Sequence, residues 1–437
     1  MPTLIRARLL SFVSEPQAAD DHDSYRYEED GGLLIEDGAI KAFGAFADVQ
    51  RQAEDGVAVV DHRPHLVLPG FIDSHAHFPQ AHIIGSFGEE LLDWLNTYTF
   101  PAELEFSDGA HARRVAKLFL DELFRHGTTT AALYCSVHPQ SAEALFSEAE
   151  RRNMCVIAGK VMMDRNAPDG LRDTAQQGYD ETKALIARWH GKGRLHYAIT
   201  PRFAITSTYE QMEASKALAG ECPDLHIQTH LSENRAEIEF ACSLFPEAKD
   251  YTDIYERYGL VGPKSLFGHC IHLTDREADA LSDAGAVAVF CPTSNFFLGS
   301  GLFNYFRYKR RPKSLRIASA TDVGAGTNYS MLRTMDEGYK MIALQGEKIP
   351  PLLSFWQITR GNAQALGLET RIGTLEPGTD ADLAVLDAHA TPAMRLRMEK
   401  AETLAEELFI LQTMGDDRSV VETYVAGKPV KSSLGHG

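Results

Sequence analysis

Pro69-Gly70-Phe71-Ile72-Asp73-Ser74-His75-Ala76-His77-Phe78-Pro79-Gln80 is the stretch on which the reading of the chain turns. The apolar run Leu66-Val67-Leu68 leads into a Pro-Gly turn signal and then a short strand that ends in two histidines one residue apart. Alternate side chains of a strand share a face, so His75 and His77 project side by side. Two imidazoles held that way can share one metal ion. Seventeen histidines scattered over 437 positions would give roughly 0.6 such pairs by accident, so the pair gains weight only from partners elsewhere in the chain.

Those partners lie in a segment of uniform texture. From Pro69 to about Gly367, short β-branched runs alternate with longer helical patterns. The strand candidates are 71–77, 128–134, 156–162, 195–203, 225–231, 265–273, 286–291 and 317–322; the helices between them include 107–126, 140–153, 178–189, 208–219 and 275–284. This alternation predicts an α/β fold, a parallel (β/α)8 TIM-like barrel, which typically needs about 250 residues and carries its active site at the C-terminal strand ends. The polar residues at those ends are His75 and His77 on the first strand, Arg202 on the fourth, His230 on the fifth, His269 on the sixth and Asp322 on the eighth. Three imidazoles and one carboxylate drawn from such a ring make an N3O set suited to a borderline divalent ion such as Zn2+.

The flanks read differently. Segments 3–12, 32–40 and 58–60 before the barrel, and 372–386 and 420–430 after it, are strand-like, with a helical stretch from about 392 to 414. Neither end has enough strands for its own core, so the two are expected to join in one small β-sandwich-like domain. The expected organisation is 1–67 and 371–437 for that domain and 68–370 for the barrel. The acidic run Asp20-Asp21-His22-Asp23 reads as a solvated loop.

Composition narrows the partners. A net charge of -18 repels phosphate backbones and anionic surfaces, so neither nucleic acid nor a membrane is expected as a partner, and a small-molecule substrate is. Six dispersed cysteines without a C-x-x-C pair read as reduced residues of a cytoplasmic protein. No export signal is visible after Met1, and no run of eighteen apolar residues occurs.

The order Pro-Gly-Phe-Ile-Asp-x-His-x-His, then Thr229-His230, Gly268-His269-Cys270, Asp322 and a closing Gly373-Thr374-Leu375-Glu376-Pro377-Gly378 with Ala381-Asp382-Leu383 resembles the amidohydrolase superfamily. Within it the chain closely resembles the aminohydrolases that act on guanine, through His77-Phe78-Pro79-Gln80, Leu95 to Glu103, Thr200-Pro201-Arg202-Phe203, Thr229 to Asn234, Cys291 to Asn295 and Thr321 to Thr327. The resemblance implies hydrolytic deamination of guanine to xanthine and ammonia in purine catabolism. It implies one Zn2+ per chain on His75, His77, His230 and Asp322, and a homodimer. Glu233 would shuttle protons, with a surface glutamate opening a helix as the alternative; His269 and Asp322 would assist with the attacking water. Gln80 and Arg202 would read the base, Phe203 would stack on it or pack in the core, and Trp94 would line the pocket wall. His272 reads as structural.

One departure bears on the metal count. Dinuclear relatives carry a lysine at the end of the fourth strand, where this chain has Pro201-Arg202-Phe203, while Lys160 lies in the third. A mononuclear site follows from the resemblance. Two alternatives stand beside guanine deamination: a related aminohydrolase acting on another heterocycle of the 8-oxoguanine or triazine type, and a metal-free scaffold that has lost its chemistry.

Overall fold

The computed structural model describes residues 2–87 and 91–434; positions 1 and 435–437, the extreme ends of the expected small domain, and 88–90 within the expected barrel segment lie outside the described residues. Eight parallel strands form the barrel in chain order: Phe71–His77, Thr128–Tyr134, Cys155–Gly159, Leu195–Pro201, His226–Leu231, Ser265–His269, Val287–Phe290 and Arg316–Ser319. The strand residues are buried almost throughout, as expected where helices cover one face of a parallel sheet and side chains fill the other. Between the first and last strands, Asn362 closes the ring by donating its amide to Ile72 O at 2.7 Å and Ser319 O at 2.8 Å.

The helices obey local rules. Asp108, Thr208 and Thr274 cap Gly109–Arg125, Tyr209–Glu221 and Asp275–Ala284, the last through a capping box with Glu277. Gly285, at φ 70°, ends the third of these in the left-handed conformation that a Cβ would strain.

The termini build one mixed sheet, in the order Lys428–Pro429, Val420–Val425, Leu383–Leu386, Ala58–Pro69, Thr3–Phe12, Tyr25–Glu36, Ala39–Ala45. Its central strand, Ala58–Pro69, runs directly into the first barrel strand, so the sheet sets where His75 and His77 begin. Below the barrel Arg194 grips Asp382 and, at 3.0 Å, Asp380, tying the fourth strand to the C-terminal part of the sheet.

Several expected boundaries move. The single strand read over 32–40 is two strands of a hairpin that turns at Asp37-Gly38, both at positive φ (51° and 84°); Asp-Gly is a hairpin signal in its own right. The strand read over 156–162 breaks at Lys160, whose buried amine pairs with Asp173 at 2.6 Å and Glu181 at 3.2 Å. The helix over 392–414 is Pro392–Met398 and Leu404–Met414, the second restarted by the Thr403–Glu406 capping box. The sixth and eighth strands stop at His269 and Ser319, short of 273 and 322. His269, Cys270 and Asp322 have φ of 71°, 51° and 52°, which an extended strand excludes.

At the N-terminal end of the barrel, burial pushes His196 and His226 down to about 4, and His226 donates from Nε2 to Leu366 O at 2.8 Å. The unfolded chain takes up protons at these rings near 6.5, while the folded chain refuses them until about 4. Their contribution is therefore complete above pH 6.5 and declines as pH falls through that window, by up to ~3 kcal/mol for each ring. The melting temperature is expected to be flat from pH 8 to 7 and to fall from 6.5 towards 4. His226→Gln, which keeps an N–H for Leu366 O, should flatten part of that fall; an unchanged slope would discard the assignment.

Candidate active site at the C-terminal end of the barrel

Six of the expected residues meet in one buried cluster. His77 Nε2 lies 3.2 Å from His75 Nε2 and 3.2 Å from His230 Nε2, and Asp322 Oδ1 lies 3.3 Å from His75 Nε2 and 3.5 Å from His77 Nε2. His269 Nε2 stands 3.9 Å from Asp322 Oδ2 and 3.3 Å from Glu233 Oε2. All are almost inaccessible to water. The close approach needs a glycine: a Cβ at Gly268, on the sixth strand, would sit 2.9 Å from His75 Cε1.

The strand ends aim these groups. Asp322 N donates to His75 O at 2.9 Å, and Asp73 accepts from Thr321 N at 3.0 Å and from the Thr321 hydroxyl, so the first and eighth strands hold Asp322 against the histidine pair. Burial, reinforced by the neighbouring imidazoles, holds His77 and His230 well below the usual imidazole range. Burial also lowers His75. Although burial opposes ionisation of Asp322, the hydrogen bond to His75 and the charge of the facing rings hold its carboxyl below the ordinary value.

The donor set fits a cation. His230 Nδ1 donates to Arg202 O at 2.8 Å, leaving Nε2 as a lone pair directed at His77 Nε2, which also faces His75 Nε2. Three converging ring nitrogens cannot satisfy one another with protons while the rings stay neutral. A borderline divalent ion would accept those lone pairs together with the Asp322 carboxylate; His75, His77 and Asp322 form one group close enough to hold an ion, and His75, His230 and His269 another.

Glu233 belongs to the opposite wall. The helix after it, Arg235–Leu244, is capped by Asn234, so Glu233 precedes the helix, and at 3% exposure it is not a surface residue. Burial pushes its carboxyl up to about 7. Burial lowers His269, but the Glu233 and Asp322 carboxylates outweigh it and raise the ring above its ordinary value. The two groups sit within proton-sharing reach, and Ser300 Oγ donates to Glu233 Oε1 at 3.1 Å.

A pocket opens beside the cluster, lined by His77, His230, Glu233, His269 and Asp322 together with Gln80, Trp94, Arg202 and Phe203. Phe203 meets His230 edge-on at 6.3 Å and presents to the cavity as well as to the core. His272 donates to Ser300 O at 2.8 Å and does not line the cavity, as its structural reading has it. Three residues were given no role from sequence. Asn295 Oδ1 lies 3.1 Å from His269 Nδ1 and orients that ring; Tyr134 packs its ring 4.7 Å from His75 and 4.5 Å from His77; and Glu103 joins Gln80 to Arg202. Glu103 and Asn295 each end a segment that carries the resemblance, but only the spatial partner gives either a role.

Comparison with known proteins finds relatives along nearly the whole chain. The model of the amidohydrolase family matches residues 66–430. The chain is 46% identical over 424 residues to a guanine deaminase of Escherichia coli, covering 96% of each chain. The solved structure of E. coli guanine deaminase superposes with a TM-score of 0.95 at 44% identity over 98% of this chain and 99% of that one. A guanine deaminase from C. acetobutylicum, solved with guanine bound in its active site, superposes with a TM-score of 0.88 at 27% identity, over 98% and 100% of the two chains.

Proposed function

The chain belongs to the amidohydrolase family, and from that premise we propose that it is the hydrolase that deaminates guanine at C2, consuming water and giving xanthine and ammonia. What carries the reading is one cavity that presents a set of metal-competent groups on one wall and a base-reading pair, Gln80 and Arg202, on another, in a chain similar over nearly its whole length to guanine deaminases. Held by His75, His77, His230 and Asp322, one zinc ion per chain would supply Lewis acidity that brings the pKa of water from about 16 to about 7.

The remaining steps belong to side chains. Arg202 donates towards the carbonyl oxygen at C6, and Gln80 meets the adjoining edge of the base. Phe203 and Trp94 wall the ring and keep bulk water out. Glu233, with a carboxyl near neutrality, takes one proton from the attacking water and gives it to the ring nitrogen beside C2, then takes the second from the added hydroxyl and gives it to the departing amine. His269 and Asp322 hold the water on the side facing C2, and Asn295 keeps the His269 ring turned that way. Among the described residues, no helix is long and apolar enough to cross a membrane.

The test is ammonia release from guanine, adenine, cytosine, 8-oxoguanine and a triazine, with a metal count per chain. Release from guanine with about one zinc per chain is expected of a mononuclear catalytic site. Release only from another heterocycle would keep the barrel and reassign Gln80 and Arg202. Arg202→Ala is expected to raise KM for guanine by about tenfold or more, the worth of a hydrogen bond from a charged group, and to change kcat less. The His230 partner is the Arg202 backbone carbonyl, which alanine retains. An unchanged KM would remove Arg202 from base recognition.

A further inference from the structure

Glu103 has no exposed surface and lies behind the base-reading wall of the cavity. It sits on the short helix Phe100–Leu104, which continues the wide π-turn Leu95–Thr99, and its backbone carbonyl is held by Ser136 Oγ at 3.2 Å. Its carboxylate is shared. Oε1 accepts from Gln80 Nε2 at 2.9 Å and from Arg202 Nη1 at 2.8 Å, and Oε2 accepts from Arg202 Nη1 at 2.9 Å. The acid therefore touches both groups assigned to reading the base, while Gln80 and Arg202 rather than Glu103 line the cavity.

We infer that Glu103 is a positioning residue that fixes the hydrogen-bonding polarity of the base pocket, through Gln80 and Arg202, and so sets its preference for a 6-oxo over a 6-amino purine.

Two physical arguments carry this. A carboxylate can only accept, so Gln80 must turn Nε2 towards Glu103 and Oε1 away from it. The structure has that orientation: Gln80 Oε1 packs on Gly324, where an added Cβ would come within 2.1 Å of it. Glu103 thus decides the one ambiguity a glutamine side chain has, which of its ends is donor and which acceptor. For Arg202 the effect is charge and aim. Arg202 is 3% exposed, its charge acts on the buried rings of His75, His77 and His230, and a buried cation without a counter-ion is costly. Glu103 supplies the counter-ion through Nη1 alone, and Nε and Nη2 have no protein acceptor among the described residues. They remain to meet an acceptor on the ligand. A ligand with an amine in that place would set donor against donor, the mismatch that polar sites reject most strongly.

This inference rests on the guanine-deaminating reading, and the experiment separates the two. Ammonia release from guanine and from 2,6-diaminopurine, which keeps the amine at C2 and carries a second in place of the C6 oxygen, is measured for the unaltered chain, Glu103→Gln and Glu103→Asp, with metal content beside each. In Glu103→Gln the shape is kept, but Gln80 is free to flip and Arg202 loses its counter-ion. KM for guanine should rise about tenfold or more, kcat should change less than about threefold, and metal content should hold. Guanine's advantage over 2,6-diaminopurine should shrink by about tenfold. Glu103→Asp, which keeps charge on a shorter arm, should recover part of both changes. It carries the test alone if Glu103→Gln does not fold. Turnover of guanine by the unaltered chain, with KM and selectivity the same in the variants, overturns the inference and leaves the functional reading standing. A fall in kcat at constant KM, or lost metal, also overturns it. No turnover of guanine by the unaltered chain overturns both.

Discussion

Glu233→Gln is expected to retain its metal and to release ammonia from guanine about a thousandfold more slowly than the unaltered chain, within the range that a positioned proton-transfer group supplies. The substitution is nearly isosteric. Ser300 Oγ can still donate to the side-chain oxygen, and the backbone N–H of residue 233 still reaches Glu237 Oε2 at 2.8 Å. What disappears is the capacity to take a proton and give it back. The carboxyl is suited to that task because burial sets it at about 7, where neither the protonated nor the ionised form dominates near neutral pH. His269, 3.3 Å away and itself raised, cannot substitute, because without the carboxylate it loses the partner that favours its charged form. The measurement is kcat with guanine beside the metal content of the same preparation. Turnover within tenfold of the unaltered chain would end the proton-shuttle role, and parallel loss of metal would make Glu233 part of the metal site instead.

His230→Ala is expected to lose both metal and turnover, the affinity for zinc falling by more than the ~10–100-fold that loss of an outer partner of a ligand causes. His230 is fixed by its own second nitrogen, through the Nδ1 hydrogen bond to Arg202 O, and stacks at 5.5 Å on His269. Alanine removes one of the converging lone pairs and opens space in a packed wall. Metal content and ammonia release should therefore fall together, and the melting temperature of the variant should lose its sensitivity to chelators, since metal binding contributes to the folded state only where the ligands are present. A variant that keeps its zinc would move the ligand role to another imidazole, with His269 the nearest candidate.

The metal-competent groups could be read before the barrel was known. His75-Ala76-His77 is a strand signature because the period of two puts both rings on one face, and the other site residues each stand at or just beyond the end of a strand-like run. A parallel barrel converts such ends into a ring whatever their separation along the chain. Glu233 was legible for the same reason, being close behind His230 on the same strand exit.

The hydrogen-bonded wall of the cavity that carries Gln80 and Arg202 was not legible. Glu103, Gln80 and Arg202 come from three separate segments, and their common hydrogen-bond network exists only because the π-turn Leu95–Thr99 and the helix after it fold back onto the exits of the first and fourth strands. The left-handed backbone at Ser232, His269, Cys270 and Asp322 was also invisible, since non-glycine residues adopt it only where surrounding structure compels them. Local sequence thus determined the chemistry on offer, the strand periodicity that points it and the fold class that gathers it, because these depend on residue type and on spacing within single elements. The tertiary structure alone decided which lone pairs converge, which carboxyl is buried to near neutrality and which end of Gln80 faces Glu103, because each depends on the solvent and charge that distant segments bring to one point.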